Sequence, residues 1–231
     1  MRTSDWGVPV TLLVLAVSSQ YSGLDVWLAS HFYDATSGTW PWRDTWLTST
    51  LLHTDARRLI TAVGVGMLLG WLASLVRPGL ASHRRYWGYL LLASLSGPIV
   101  VAALKSVTHL YTPWDVTLFG GELPHLRLFD PVPKGAPFGH AFPAGHASAG
   151  YAFFSLYFLA RSLRPALQWK ALAVPVVLGL VLGVDQQVRG AHFLSHDLTT
   201  AALCWMLAAL WARVLLSLQP RVRAETAIQP A

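Results

Sequence analysis

The sequence predicts an all-α, polytopic membrane helical bundle, and three observations predict it: the composition, the recurrence of long apolar stretches, and the placing of basic residues between them. Of 231 residues, 54% are hydrophobic and 12% charged, which leaves a soluble domain of this size short of polar surface. Apolar stretches recur at residues 8–19, 59–76, 86–104, 147–160, 171–184 and 198–218, several of them near the roughly 20 residues that cross a bilayer as a helix. About six transmembrane helices are therefore expected.

The first stretch follows Arg2, as in a signal peptide, but no small-residue cleavage site comes after it, so it reads as a retained helix. The connection of residues 21–58 mixes apolar and polar positions near helical spacing, which predicts an interfacial helix on the membrane surface. Within it His53, Asp55, Arg57 and Arg58 read as the charged start of the second span. The connection of residues 106–145 is long and rich in Pro and Gly, and loops of that length are uncommon unless functional. In it His109, His125 and His140 read as solvated loop residues, and "PWD" at 113–115 as either an interfacial turn or part of a site entrance. Residues 1–218 form one membrane domain on this reading, and 219–231 a polar, disordered cytoplasmic tail.

Arg2, Arg77, Arg84, Arg85, Arg161, Arg164, Lys170, Arg213, Arg221 and Arg223 fall on one side of such a bundle, which the positive-inside rule makes cytoplasmic. The two long connections then face outward. The net charge of +6 is thus explained by topology, and the basic residues form no stripe interleaved with aromatics of the kind that binds nucleic acid. The eleven tryptophans fit interfacial belts, with Trp87 and Trp114 near span ends. Cys204, the only cysteine, excludes an internal disulfide and a cysteine-cluster metal site.

Three places join a membrane boundary to reactive polar residues, all on the predicted outer side: Lys105, His146 directly after Gly145, and the run "QQVRGAHFLSHDL". Gly145 places His146 in the first turn of a span, where backbone N–H groups favour an anion. Two imidazoles, a lysine, an arginine and a helix start suit phosphoryl transfer through a histidine. One ring attacks phosphorus, the second protonates the leaving oxygen, and cationic donors neutralise the phosphoryl oxygens. Neither metal nor cofactor is called for.

The spacing resembles the type-2 phosphatidic acid phosphatase superfamily, in its integral-membrane lipid phosphate phosphatase branch. Its motifs run Lys, six residues, Arg-Pro; then Pro-Ser-Gly-His; then Ser-Arg, five residues, His, three residues, Asp. This chain offers "KSVTHLYTP", "PAGH" and "QQVRGAHFLSHD" in that order, from Lys105 to Asp197. The resemblance implies a metal-independent hydrolase in which Lys105 contacts phosphate, His146 is the general acid and His192 the nucleophile.

The motifs also depart from the family. Thr112 stands at the first arginine, Ala144 at the serine, Gln186 at the second arginine and His196 at the aspartate. On a continuous helix Gln186, Arg189 and His192 share a face, so Arg189 is expected to supply the missing guanidinium. His196, Asp197, Asp115 and Asp185 remain alternatives for orienting the nucleophile. The expectation is a phosphatase in a bacterial inner membrane, its site on the periplasmic face, acting on a lipid phosphate or diphosphate monoester. The alternatives are a lipid phosphotransferase and an inactive lipid-phosphate binding or carrier protein.

Overall fold

The computed structural model describes residues 4–216, and the predicted tail from 219 onward lies outside them. Helices α1 (Ser4–Ser22), α2 (Leu24–Ser30), α3 (Ala56–Val76), α4 (Arg84–Lys105), α5 (Gly145–Tyr151), α6 (Phe154–Leu163), α7 (Gln168–Val188) and α8 (Leu194–Leu215) carry the fold. Among the described residues the only β-type pairings are the isolated bridges Asp34–Thr39 and Val116–Leu123.

Helix α8 is the axle of the bundle, packing against α1, α4, α5 and α6. Half of its apolar window is buried, against 11% for the span that ends in α3, so α3 is a peripheral helix. Small residues let the neighbours approach α8: Ala201, Ala202, Ala208 and Ala209 are buried, and Gly97 of α4 lies over Cys204. Leu59, Leu69, Val76, Ile99, Val177 and Leu180 instead face outward, the inversion of a soluble protein that hydrocarbon surroundings require.

Four helical stretches are long and apolar enough to span a bilayer: Trp46–Val76, Pro78–Lys105, Pro165–Val188 and Leu194–Leu215. The bent pair α1 and α2, at 71°, makes up to five. The expected count of six is lowered at 147–160, which is not one helix: α5 ends at Tyr151 and α6 begins at Phe154. The connection at 21–58 also differs from a single surface helix. Its first part is α2, and its last part is a π-helical segment, Trp46–Asp55, that runs straight into α3. Thr45 caps that segment by accepting from the Thr48 N–H at 3.4 Å.

At the end of the bundle where α4 and α7 finish and α5 and α8 begin, the long connection folds over as a cap. Tyr111, Val116 and Phe119 pack with Ala29, Trp40 and Phe193 into a second core. The loop is pinned by its own polar groups: Thr108 Oγ1 donates to the Phe142 carbonyl at 2.7 Å, and Tyr111 donates to Pro137 at 2.9 Å. At the opposite end Arg161 of α6 pairs with Asp5 of α1 at 2.5 Å, the latter only 1% exposed. A half-wrapped guanidinium of this kind also lies 4.9 Å over the Phe158 ring.

Candidate active site

Lys105, Gly145, His146 and His192, far apart in sequence, reach one place because four helix ends do. Lys105 is the last residue of α4, and Gly145 and His146 open α5. A Cβ on Gly145 would meet Lys105 Nζ at 3.3 Å, so the bare backbone is what lets the ammonium lie across the start of α5. Lys105, Gly145, His146, Ser148 and Arg57 line a cavity of about 340 Å³ that closes on Pro98, Val101 and Leu182.

His192 stands in the turn between α7 and α8. Helix α7 ends at Val188, and Gly190 then takes φ 79°, with Trp40 so close that a Cβ there would come within 2.4 Å of its ring. The expected shared helical face of Gln186, Arg189 and His192 is therefore broken before His192, because that left-handed glycine turns the chain. The turn nevertheless brings His192 Nδ1 to 3.4 Å from His196 Nδ1. His192 is 6% exposed and His196 1%. Burial pushes the His192 imidazole well below its ordinary value, and the charges of His196, Lys105 and His146 push it the same way. It is a neutral ring at pH 7.

His146 is flanked on its other side by the first connection. Its ring stacks on His53 with centroids 4.3 Å apart and 3° between planes, and its Nε2 lies 3.2 Å from the Leu52 carbonyl. Burial lowers His146 to about 4; the Leu52 carbonyl opposes this, while His53, Arg189 and Arg57 add to it. His53 Nδ1 in turn lies 3.4 Å from Gln186 Nε2. Gln186 also accepts from Arg189 Nη1 at 3.5 Å and donates to Asp185 at 2.5 Å. Arg189, whose Nε donates to the Arg43 carbonyl at 2.8 Å, is thus held beside His53 and His146 by a polar chain from three elements.

The remaining expected orienting residues lie elsewhere. Asp197 accepts from Gln187 at 2.5 Å and faces Gly183, and Asp115 accepts from Thr112 Oγ1 at 2.5 Å. Neither carboxylate is bonded to His192 among the described residues. Asp185 is engaged by Gln186. His196 alone of the alternatives meets the His192 ring. Ala144 is fully buried in the bundle core, its carbonyl accepting from Thr200 Oγ1 at 3.0 Å.

The "PWD" turn is tied to the site: Trp114 N donates to the Gly190 carbonyl at 3.0 Å, and Arg43 lies 4.2 Å over the Trp114 ring. His109 and His125 are less solvated than expected, while His140 is exposed as expected. His125 is half-buried with its ring 5.3 Å from Phe193, His109 rests on Phe138 at 4.5 Å, and His140 Nδ1 holds the Lys105 carbonyl at 3.1 Å. A charged helix start at 53–58 is present in the Asp55–Arg58 pair at 3.0 Å. That reading missed what His53 and Arg57 do, because only tertiary packing brings them to His146.

A carboxylate supports the turn that holds His192 from behind. Asp25 of α2, 2% exposed, accepts from Ser195 N at 3.0 Å, Ser195 Oγ at 2.5 Å and Ser19 Oγ at 2.6 Å. It caps α8 one residue before His196.

No curated protein and no solved structure matches the chain significantly. Its residues 86–219, more than half of the sequence and the stretch that holds Lys105, His146 and His192, match the model of the PAP2 superfamily, and the chain belongs to that superfamily.

Proposed function

We propose that the protein is a membrane lipid phosphatase that hydrolyses a lipid phosphate or diphosphate monoester through a phosphohistidine on His192, without a metal ion. The observation that carries this reading is the meeting of Lys105, Gly145, His146 and His192 at one end of a membrane bundle. With Nδ1 of His192 turned to His196, Nε2 is the nitrogen left to attack phosphorus. Lys105 and Arg189 neutralise the phosphoryl oxygens, and His146 protonates the departing oxygen. Water then cleaves the P–N bond, with His146 as base. His196 holds the tautomer of His192, the part that a carboxylate plays in the family's motif.

The location supports a lipid substrate, since the cavity opens beside spans whose outward faces are apolar and so meets headgroups. The short connections at the opposite end carry Arg77, Arg84, Arg85, Arg161, Arg164 and Lys170, which favours a cytoplasmic position for that end and a periplasmic site in a bacterial inner membrane.

The test is phosphate release from a panel of lipid phosphates by the purified protein in detergent with a chelator present. His192→Ala and His146→Ala are each expected to lower turnover at least ~100-fold. Acid quenching of the wild type with labelled substrate should trap an acid-labile phosphoprotein that His192→Ala lacks. Turnover unaffected by His192→Ala overturns the mechanism.

A further inference from the structure

The cavity of Lys105, Gly145 and His146 continues on one side into a second space. Arg57, Ile60, Pro98 and Ala149 line the cavity and also line an apolar groove of about 430 Å³ between α3 and α4. The change from polar to apolar lining falls at Arg57, the second residue of α3. Beyond it the groove is walled by Met67 and Leu68 of α3 and by Leu91 and Leu95 of α4. Its back is formed by Ala152 and Phe153, the break between α5 and α6.

The groove has a definite length. From Arg57 to Leu68 the α3 backbone rises about 17 Å at 1.5 Å per residue, close to half of a hydrocarbon core of roughly 30 Å. Just past Leu68 the two helices interlock: a Cβ on Gly70 would come within 2.9 Å of the Trp87 ring, and one on Gly88 within 3.3 Å of Trp71. Gly64 is the opposite case. It lines the groove, and a Cβ there would meet nothing within 4 Å. The same helix pair is thus closed at Gly70 and open at Gly64, where the missing side chain widens the passage.

We propose that the groove holds the hydrocarbon chain of the substrate whose phosphate lies in the cavity, and that Gly64 is the position that lets a long chain pass. This rests on the phosphatase reading above and adds to it the course of the chain and the residue that selects it. Val65, Leu68 and Leu95 line the groove and are exposed, so its side is open to the bilayer and a chain enters laterally without crossing polar surface. Lipid tails are as apolar as the groove, so entry brings little affinity. What the groove supplies is orientation. A chain laid between α3 and α4 fixes the direction from which its phosphate meets Lys105 and His146.

The test uses two straight-chain esters, hexyl phosphate and tetradecyl phosphate, with the full chain in detergent. Gly64 lies about 10 Å along α3 from Arg57, so a hexyl chain ends before it and a tetradecyl chain passes it. Gly64→Phe fills the groove at that depth. It is expected to lower kcat/KM on tetradecyl phosphate at least ~10-fold, through misplacement of the phosphate, and on hexyl phosphate less than ~3-fold. Gly64→Leu, with less bulk, should act in the same sense and more weakly, which keeps the test open if the larger variant folds poorly. Val63→Phe puts the same ring on the exposed side of α3, outside the groove, and should change neither substrate. The unfolding temperatures should match the wild type, because the added side chains enter open space.

An equal loss on both substrates, no loss on tetradecyl phosphate, or the same loss in Val63→Phe overturns the proposal. So does a wild type that hydrolyses other lipid phosphates but neither alkyl ester. The phosphatase reading survives each of these results. Phosphate release from no lipid phosphate at all would sink the phosphatase reading itself.

Discussion

The His53 ring lies parallel to that of His146, 4.3 Å away, and covers one face of the imidazole assigned as the general acid. Burial above all, and then the charges of His53, Arg189 and Arg57, disfavours the protonated form of His146, whose value falls to about 4. Both histidines of the proposed mechanism are thus depressed, His192 strongly so. The optimum of kcat/KM should accordingly lie acid of the ordinary imidazole value near 6.5. Removing His53 exposes His146 to water and takes away a like charge, so its value rises. His53→Ala is expected to move the alkaline limb of the pH profile, which the general acid governs, toward neutrality while lowering the maximum less than His146→Ala does. A pH–rate profile that keeps its limbs in His53→Ala would show that the stack has no influence on the acid.

The same depression bears on stability, with a definite sign. His146 is about 4 folded and near 6.5 unfolded, so between those values the unfolded chain binds the extra proton. Stability is fully present above 6.5 and is lost as pH falls toward 4. The unfolding temperature in detergent should drop across that window. Vanadate, whose negative charge favours the protonated ring, should reduce the drop. An unfolding temperature flat from pH 7 to 4 contradicts the buried neutral state of His146.

Gly145 offers a narrower test of the proposed phosphate pocket. The added Cβ of Gly145→Ala meets Lys105 Nζ at 3.3 Å, and the ammonium, at the end of a flexible stem, is what gives way. The fold is expected to survive, with an unfolding temperature within a few degrees of wild type. Substrate KM and the inhibition constant of vanadate should both rise, by about tenfold for one charge-assisted contact weakened. Unchanged vanadate inhibition in Gly145→Ala would mean that Lys105 does not hold the phosphate.

How far the sequence reveals this molecule depends on the range of the interaction. The spans are legible because each is a local property of about twenty residues, and Lys105, His146 and His192 are legible because motif spacing survives at all three. The broken helix at 147–160 is hidden, since Ala152 and Phe153 are as apolar as any span interior and only packing stops the helix there. The shared face of Gln186 and His192 fails through one residue, Gly190, whose left-handed turn is decided by Trp40, distant in sequence. His53 and Arg57 look like an ordinary charged helix start because their partner, His146, lies in another segment. Long-range pairing of this kind leaves no local period to read.

Asp25 shows the same point in a form that a mutant can settle. Its carboxylate is buried and accepts three hydrogen bonds, two of them from Ser195, so it fixes the first turn of α8, on which His196 sits and beside which His192 is held. Asp25→Ala leaves the Ser195 N–H buried without an acceptor, at a cost of about 2–5 kcal/mol in stability, whereas Asp25→Asn keeps one acceptor oxygen and should cost less. The first turn of α8 also sets the 3.4 Å approach of His196 to His192, so loosening it blurs the orientation of the proposed nucleophile. Asp25→Asn is therefore expected to lower kcat several-fold with KM nearly unchanged, since no phosphate-binding group has moved. A rise in KM at constant kcat would instead place Asp25 on the substrate side of the site, and a loss of stability with wild-type kcat would reduce it to a helix cap.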